Sequence, residues 1–486
     1  MSQFVEYLRQ FGRFQRNARL YLINNALSGV TAGILLVLYN LYLLSLGYAA
    51  DFIGAVLFAA TIGAGLAIFP AGVCIDRFSG KAILIGANLL IGVAGIGQIL
   101  FRQPVPLLLS GFIAGVGYAF ILVVNAPFLT ANSTSDERPH LFSLNLVLGL
   151  ITAVVGNIVG GLLPGWFRHM PLLMAPLPAW SNVLLASQPD PRSYQLSLLF
   201  AGVIVLPSLI PLFLLSNDPP PGRVSPRPSR NLRQPRRDGG DADEGRESLR
   251  SPSPLSPSAL VSSMAKATTK ALSLPNATPA LTRTSVGQWL ALLPAILRSP
   301  IFLLSLVQAL IGAGAGLFIS YFNIYFVQHL HASPALFGLL SGGTVAIAAL
   351  FTLAAPWLAA RIGRVNSVAL TELVSIPLLV TLGLTSYLPL ATTCYLFRQG
   401  FMDMSNGVLQ VFSMEAAPRQ HRGLANSSYQ VAFQVPWALT APLGGLLIAH
   451  FGYSPIFLGA AICYLLAIAT LWGNFGRFRE KRFGHR

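Results

Sequence analysis

The sequence predicts an all-α polytopic membrane protein with twelve transmembrane helices in two six-helix halves. Three observations carry this. Charged residues are only 10% of the 486-residue chain and hydrophobic residues are 54%, whereas a soluble globular domain carries about 25% charged residues. The apolar residues fall in blocks near the roughly 20 needed to cross about 30 Å of hydrocarbon as a helix. Short motifs recur in the same order, 281 to 284 residues apart.

In chain order, residues 1–19 are charged and mildly amphipathic, with no cleavable signal pattern. The N-terminal half, 20–216, holds helices over 20–46, 51–75, 82–101, 105–128, 141–165 and 196–215. The further apolar stretch 171–187 contains Pro171, Pro176 and Pro178 and reads as a loop or re-entrant segment. Residues 217–287 hold 11 prolines and runs such as SPRPSR. Such a composition buries too little apolar surface to offset ordering, and predicts a disordered cytoplasmic linker. The C-terminal half, 288–473, opens with an interfacial helix over 288–298. Helices follow over 300–327, 335–360, 365–388, 390–412, 423–450 and 455–472. The tail 474–486 has five basic residues and one acid.

Basic residues orient the bundle, because cytoplasmic loops are enriched in them. With the N-terminus inside, inside segments hold 28 of the 32 Lys and Arg; Arg102, Arg168 and Arg192 fall outside, and Arg398 falls within a helix. Both termini and the linker are therefore expected in the cytoplasm, and the multi-pass chain in the plasma membrane of a prokaryote. The net charge of +16 is then a topology signal, and no nucleic-acid partner is expected. Cys74, Cys394 and Cys463 lie in apolar blocks without metal-like spacing and read as packing residues. No phosphate-binding loop, His–Glu metal motif or nucleophile elbow occurs in the sequence. This argues against an ATP-driven pump and against an enzyme; no cofactor or metal is expected.

The repeat is the most informative feature. Tyr39-Asn40-Leu41-Tyr42-Leu43 in the first helix matches Phe322-Asn323-Ile324-Tyr325-Phe326 in the seventh, at an offset of 283 that also carries Gly33 onto Gly316. Arg138, His140 and Asn145 match Arg419, His421 and Asn426, and Gly160-Gly161 matches Gly444-Gly445. Two such halves, with both termini inside, are parallel repeats of the kind that place a transport site at the midplane.

Between the second and third helices lies GVCIDRFSGK, 72–81. It resembles the signature G-x-x-x-D-[RK]-x-G-[RK]-[RK] of the major facilitator superfamily. The match covers Gly72, Asp76, Arg77 and Lys81; Ser79 stands where the second glycine belongs, and Gly80 falls one place late. Arg361 and Arg364, between the eighth and ninth helices, resemble a degenerate second copy. Asp136-Glu137-Arg138, followed by His140, resembles the family's connection between the fourth and fifth helices. The resemblance covers nearly the whole chain outside the linker and the loop 171–194. It implies that helices one, four, seven and ten line a central cavity. It also implies a cytoplasmic gate built from Gly72, Asp76, Arg77, Lys81, Arg361 and Arg364. The residue types suit that role: Gly72 permits close helix approach, and Asp76 at a helix end can accept bonds from a helix N-terminus or pair with a cation. The competing reading is that these are solvated loop charges. Two departures weigh against proton-driven drug efflux. Members resembling R-x-x-x-G-x-G in the fourth helix have arginine where this chain has Gly111, ahead of Gly115 and Gly117. Drug antiporters resemble G-x-x-x-G-P-x-x-G-G in the fifth helix, where this chain has Asn157 in the proline position.

Three ionisable residues sit well inside helices: Glu372, Arg398 and Asp403. Intramembrane charges are costly and face protein interior or a watery cavity. Glu372 falls on the peripheral ninth helix, where an interfacial or packing role is expected. Arg398 needs an acidic partner, backbone carbonyls or an anionic substrate group, since its guanidinium stays protonated. Asn40 and Asn323 occupy equivalent places in the two halves, as do Asn125 and Asn406, and amides offer donors and acceptors without charge. The substrate or ion-binding candidates are therefore Asn40, Asn125, Asn323, Arg398, Asp403 and Asn406. Hydrogen bonding between helices is the competing reading for the amides.

The expected function is secondary active transport of a small solute by alternating access, with protons as the candidate coupling ion and efflux as one form. Uniport, flipping of a lipid-like substrate, and a sensor that binds without turnover are the alternatives. The expected partners are the solute and membrane lipids, and the chain is expected to act as a monomer.

Overall fold

The computed structural model describes residues 14–134, 137–175, 178, 184–216, 299–417 and 422–476, without the side chains of Asp76, Pro139 and 422–424. The linker 217–287, the segment 288–298 and the basic residues of the tail lie outside the described residues. Twelve long helices follow one another: α1 Arg16–Ser45, α2 Ala50–Arg77, α3 Gly80–Leu100, α4 Pro104–Ala131, α5 Arg138–Arg168 and α6 Pro189–Phe213; then α7 Pro300–Phe318, α8 Pro334–Ile362, α9 Arg364–Leu384, α10 Leu388–Ala416, α11 Arg422–Phe451 and α12 Ser454–Phe475.

Eleven of these are long and apolar enough to cross a membrane. The remaining one, α10, has its apolar run interrupted by Arg398, Gln399 and Asp403, yet it packs against α8 and α9 as a member of the bundle. Helices satisfy their own backbone groups, which lipid cannot do for them. Their outer faces are apolar: Phe69 is 83% exposed and Leu353 79%. Such surface is unfavourable in water and matches lipid.

The helix α6 starts at Pro189, earlier than the apolar block at 196, because its first turns are polar but buried. Arg192 is 2% exposed and donates to the carbonyls of Ala186, Ser187 and Ala175 at 2.7, 2.6 and 2.8 Å. Gln195 accepts the Ala186 N–H and donates to the Leu184 carbonyl, both at 2.7 Å. These bonds tie the described ends of the 171–187 stretch to α6. In its described part that stretch contains one helical turn, Pro171–Met174.

The repeat reappears as packing. In the first half α1 packs on α5 and α6, and α4 on α2 and α3; in the second α7 packs on α11 and α12, and α10 on α8 and α9. The Tyr42 hydroxyl donates to the Ile99 carbonyl at 2.7 Å, and its repeat mate Tyr325 donates to the Leu382 carbonyl. Each tyrosine thus ties the first helix of its half to the last turn of the third. Beyond Phe318 the seventh helix loses regularity: a 3₁₀ turn at Ile319–Tyr321 and a π turn at Tyr325–His329.

The halves meet through α2 against α11 and α5 against α8. The paired glycines explain how. A methyl group on Gly160 would lie 2.9 Å from Ile34 Cα, and on Gly444 2.1 Å from the Leu317 oxygen, both within a half. On Gly161 it would lie 2.5 Å from the Pro334 oxygen, and on Gly445 2.3 Å from the Ala50 oxygen, both across the halves. The first glycine of each pair closes its own half and the second closes the seam. All four seam residues lie toward the end of the bundle that carries the 46–49 and 330–333 connections. Further along α2, toward the end with the basic loops, Gly65 and Gly72 face open space.

Candidate functional site

A cavity of about 420 Å³ lies between the halves. Its floor toward the closed end is made by the irregular part of the seventh helix and the matching stretch of α1. Asn40 Nδ2 donates to the Ser320 carbonyl at 2.7 Å and to Asn323 Oδ1 at 3.3 Å; Asn323 Nδ2 donates back to the Val37 and Leu36 carbonyls at 3.2 and 3.3 Å. Among the described residues, the hydrogen bonds found across the halves all belong to this exchange. Asn40 and Asn323 also line the cavity, so these two sequence candidates share one place.

The polar stretch of α10 enters from the second half. Asp403 lines the cavity, and Gln399 Nε2 donates to its Oδ2 at 3.0 Å. Arg398 points the other way. It is 1% exposed, donates to Tyr464 Oη at 3.0 Å and Gln399 Oε1 at 3.1 Å, and lies 4.8 Å over the Phe318 ring. Its partners are thus a phenol, an amide and an aromatic face, rather than the acid, backbone carbonyls or substrate anion expected. Gln399 joins Arg398 to Asp403 in one chain of bonds. Glu372 is 1% exposed, accepts from Ser405 Oγ at 3.3 Å, and leaves Oε2 without a partner. It is buried where α9 packs on α10, in keeping with the packing role expected of it.

Asn125 and Asn406 do not line the cavity, and α4 contributes no lining residue. Of the gate candidates, Lys81, Arg361 and Arg364 make their contacts within their own halves. Lys81 Nζ donates to the Phe213 and Leu215 carbonyls at 2.9 and 2.7 Å, capping α6. Arg364 pairs with Glu415, from α9 to α10, and Arg361 lies 4.3 Å over Trp357 one turn back on α8. Arg77 is exposed, Gly72 faces open space, and the Asp76 side chain is outside the described ones. The loop's departure from the signature has a local cause. Ser79 is the N-cap of α3, its Oγ accepting the Ala82 N–H at 3.3 Å. In the second copy Gly363 sits at φ 85°, a left-handed conformation that glycine adopts without strain.

Sequence reading did not select Gln399, Gln98, Tyr39, Tyr395, Ser341, Thr344 or Trp437, which also line the cavity. Asn157 lines it as well, and was noted only as a departure from a motif. No charge marks these residues; only their shared burial on helices from both halves brings them together.

A family model described as Major Facilitator Superfamily matches residues 21–395 and again 304–483. A search of curated proteins returned no match. Solved structures share the fold. A bacterial homologue of the iron transporter ferroportin in an inward-facing state is 16% identical with a TM-score of 0.64, covering 95% of this chain and 99% of that one. A bacterial homologue of the human lysosomal transporter Spinster, inward-facing and occupied, is 12% identical with a TM-score of 0.66 over 94% and 96%. A D-xylose–proton symporter is 15% identical with a TM-score of 0.61 over 95% and 99%.

Proposed function

The chain belongs to the major facilitator superfamily, and from that premise we propose that it is a secondary active transporter of a small solute, working by alternating access. The observation that carries this is the cavity shared by the two halves, with a seam of amides and glycines, among the described residues, toward the end with the 46–49 and 330–333 connections. Rocking of the halves would break that seam and close the basic end, exchanging the side from which the cavity is reached.

The distribution of Lys and Arg supports a basic end in the cytoplasm of a plasma membrane, so the arrangement described is the inward-open one. Asp76 and Arg77 then belong to the gate that closes this end, while Lys81 and Arg364 fasten helices on either side of it and Arg361 stacks within α8. Proton coupling would use Asp403, the one carboxylate on the cavity lining among the described residues. Counterflow in proteoliposomes tests the reading. Exchange of labelled for unlabelled solute supports a transporter, whereas a solute that binds without exchange assigns a sensor.

A further inference from the structure

The cavity lining has a charge and hydrogen-bonding bias of its own. Among the described residues it contains one charged side chain, Asp403, and no lysine, arginine or histidine. The neighbouring cation, Arg398, is buried and occupied by Tyr464, Gln399 and the Phe318 ring. From the other half Asn157 lines the same cavity. It is 3% exposed, and its Oδ1 accepts no hydrogen bond. Tyr39 also lines the cavity, and its buried hydroxyl is without a partner. Buried polar atoms in native structures are nearly always paired, so each orphan requires an explanation. Of the unpartnered side-chain atoms among the described residues, these two belong to residues of the cavity lining, where a solute is available as a partner. The residue type matters, because the proline that drug antiporters have at the position of Asn157 would offer no side-chain acceptor.

Asp403 and Asn157 thus line the cavity from opposite halves, among the rings of Tyr39, Phe322, Tyr395 and Trp437. Aromatic faces attract cations, and a carboxylate forms its strongest hydrogen bonds with charged N–H donors. An anionic solute would meet Asp403 with no lining cation to offset it, a like-charge contact that binding sites avoid. We propose that the cavity takes small organic cations bearing N–H groups, primary or secondary amines with an apolar portion, held between the Asp403 carboxylate of α10 and the Asn157 amide oxygen of α5. This rests on the reading of the cavity as the solute site.

The test uses the purified full-length protein in nanodiscs, with melting and tryptophan fluorescence as readouts. The probes are arylalkyl amines, each matched with an alcohol and a carboxylate of similar size, such as phenethylamine, phenethyl alcohol and phenylacetate. Amines are expected to raise the melting midpoint and to bind at least about tenfold tighter than their partners. Asp403→Asn and Asn157→Leu are each expected to weaken amine binding about tenfold, as for loss of a charge-assisted hydrogen bond, with the unliganded midpoint nearly unchanged. Asn157→Asp should strengthen it. No binding by any amine, or a carboxylate or alcohol binding as tightly, overturns the proposal on the wild-type protein alone, even if a variant fails to fold. Amine binding that survives both substitutions overturns it too. Counterflow separates this from the transport reading. Exchange of anionic solutes alone removes the cation site and leaves transport standing; amines that bind as described without exchange do the reverse.

Discussion

Asn40 of α1 and Asn323 of α7, equivalent residues of the repeat, donate into each other's helices across the seam, with 2.7 Å to the Ser320 carbonyl in one direction and 3.2 Å to the Val37 carbonyl in the other. On the proposed rocking motion, these bonds would hold only while that end is shut. Replacing Asn40 with leucine removes two of them, each worth on average about 0.6 kcal/mol in a membrane bundle. The open population of that end should rise about five- to tenfold. Thiol labelling of a cysteine placed at Ser320, reached from the closed side in a cysteine-free background, should rise by that factor. Unchanged labelling returns the pair to ordinary helix packing.

The glycine pairs predict a split phenotype. Gly444→Ala strikes the Leu317 backbone within its own half and should cost folded yield and about 1–3 kcal/mol of stability, as overpacking does. Gly445→Ala strikes Ala50 across the seam and should leave yield near normal while favouring the state open at that end. Melting and the same labelling assay separate the two. Equal loss of yield would contradict the division of labour.

Lys81 caps α6 through two carbonyls. Lys81→Met should therefore lower stability by about 0.5–1 kcal/mol and leave the turnover rate of folded protein largely intact. Asp76→Asn should do the opposite, slowing turnover without lowering the melting midpoint, because a gating charge acts in one conformation and shifts populations. A rate loss in Lys81→Met at unchanged stability would put Lys81 in the gate.

Arg398 holds α10 to α7 and α12 and does not line the cavity. Arg398→Met should destabilise the protein by about 2 kcal/mol, the scale for losing hydrogen bonds of a charged group. It should leave solute affinity within about threefold, a shift of less than 1 kcal/mol. Loss of affinity at unchanged stability would make Arg398 a substrate anchor.

The division into halves was legible because lipid imposes apolar blocks of fixed length and loops sort by charge. The intramembrane residues of α10 were legible as charges, but not the directions they face. Arg398 and Asp403 are five positions apart, about 140° around a helix, and Gln399, which joins them, is an ordinary residue in sequence. Asn125 and Asn406 repeat as faithfully as Asn40 and Asn323 yet lie off the cavity. Helices buried on several sides carry no clean apolar stripe to fix their rotation. The role of Lys81 depends on carbonyls of α6 that only folding brings near.

The central claim, that the halves rock about the cavity, is tested most directly by pulsed dipolar spectroscopy on two pairs of exposed α5 and α8 residues. Spin labels at Leu162 and Leu339 report the closed end, and labels at Leu146 and Leu353 the basic end. Introducing Asn40→Leu should add a longer distance to the first pair and a shorter one to the second, in matching proportions. Distances that lengthen at both ends together, or that do not change at either, would contradict alternating access.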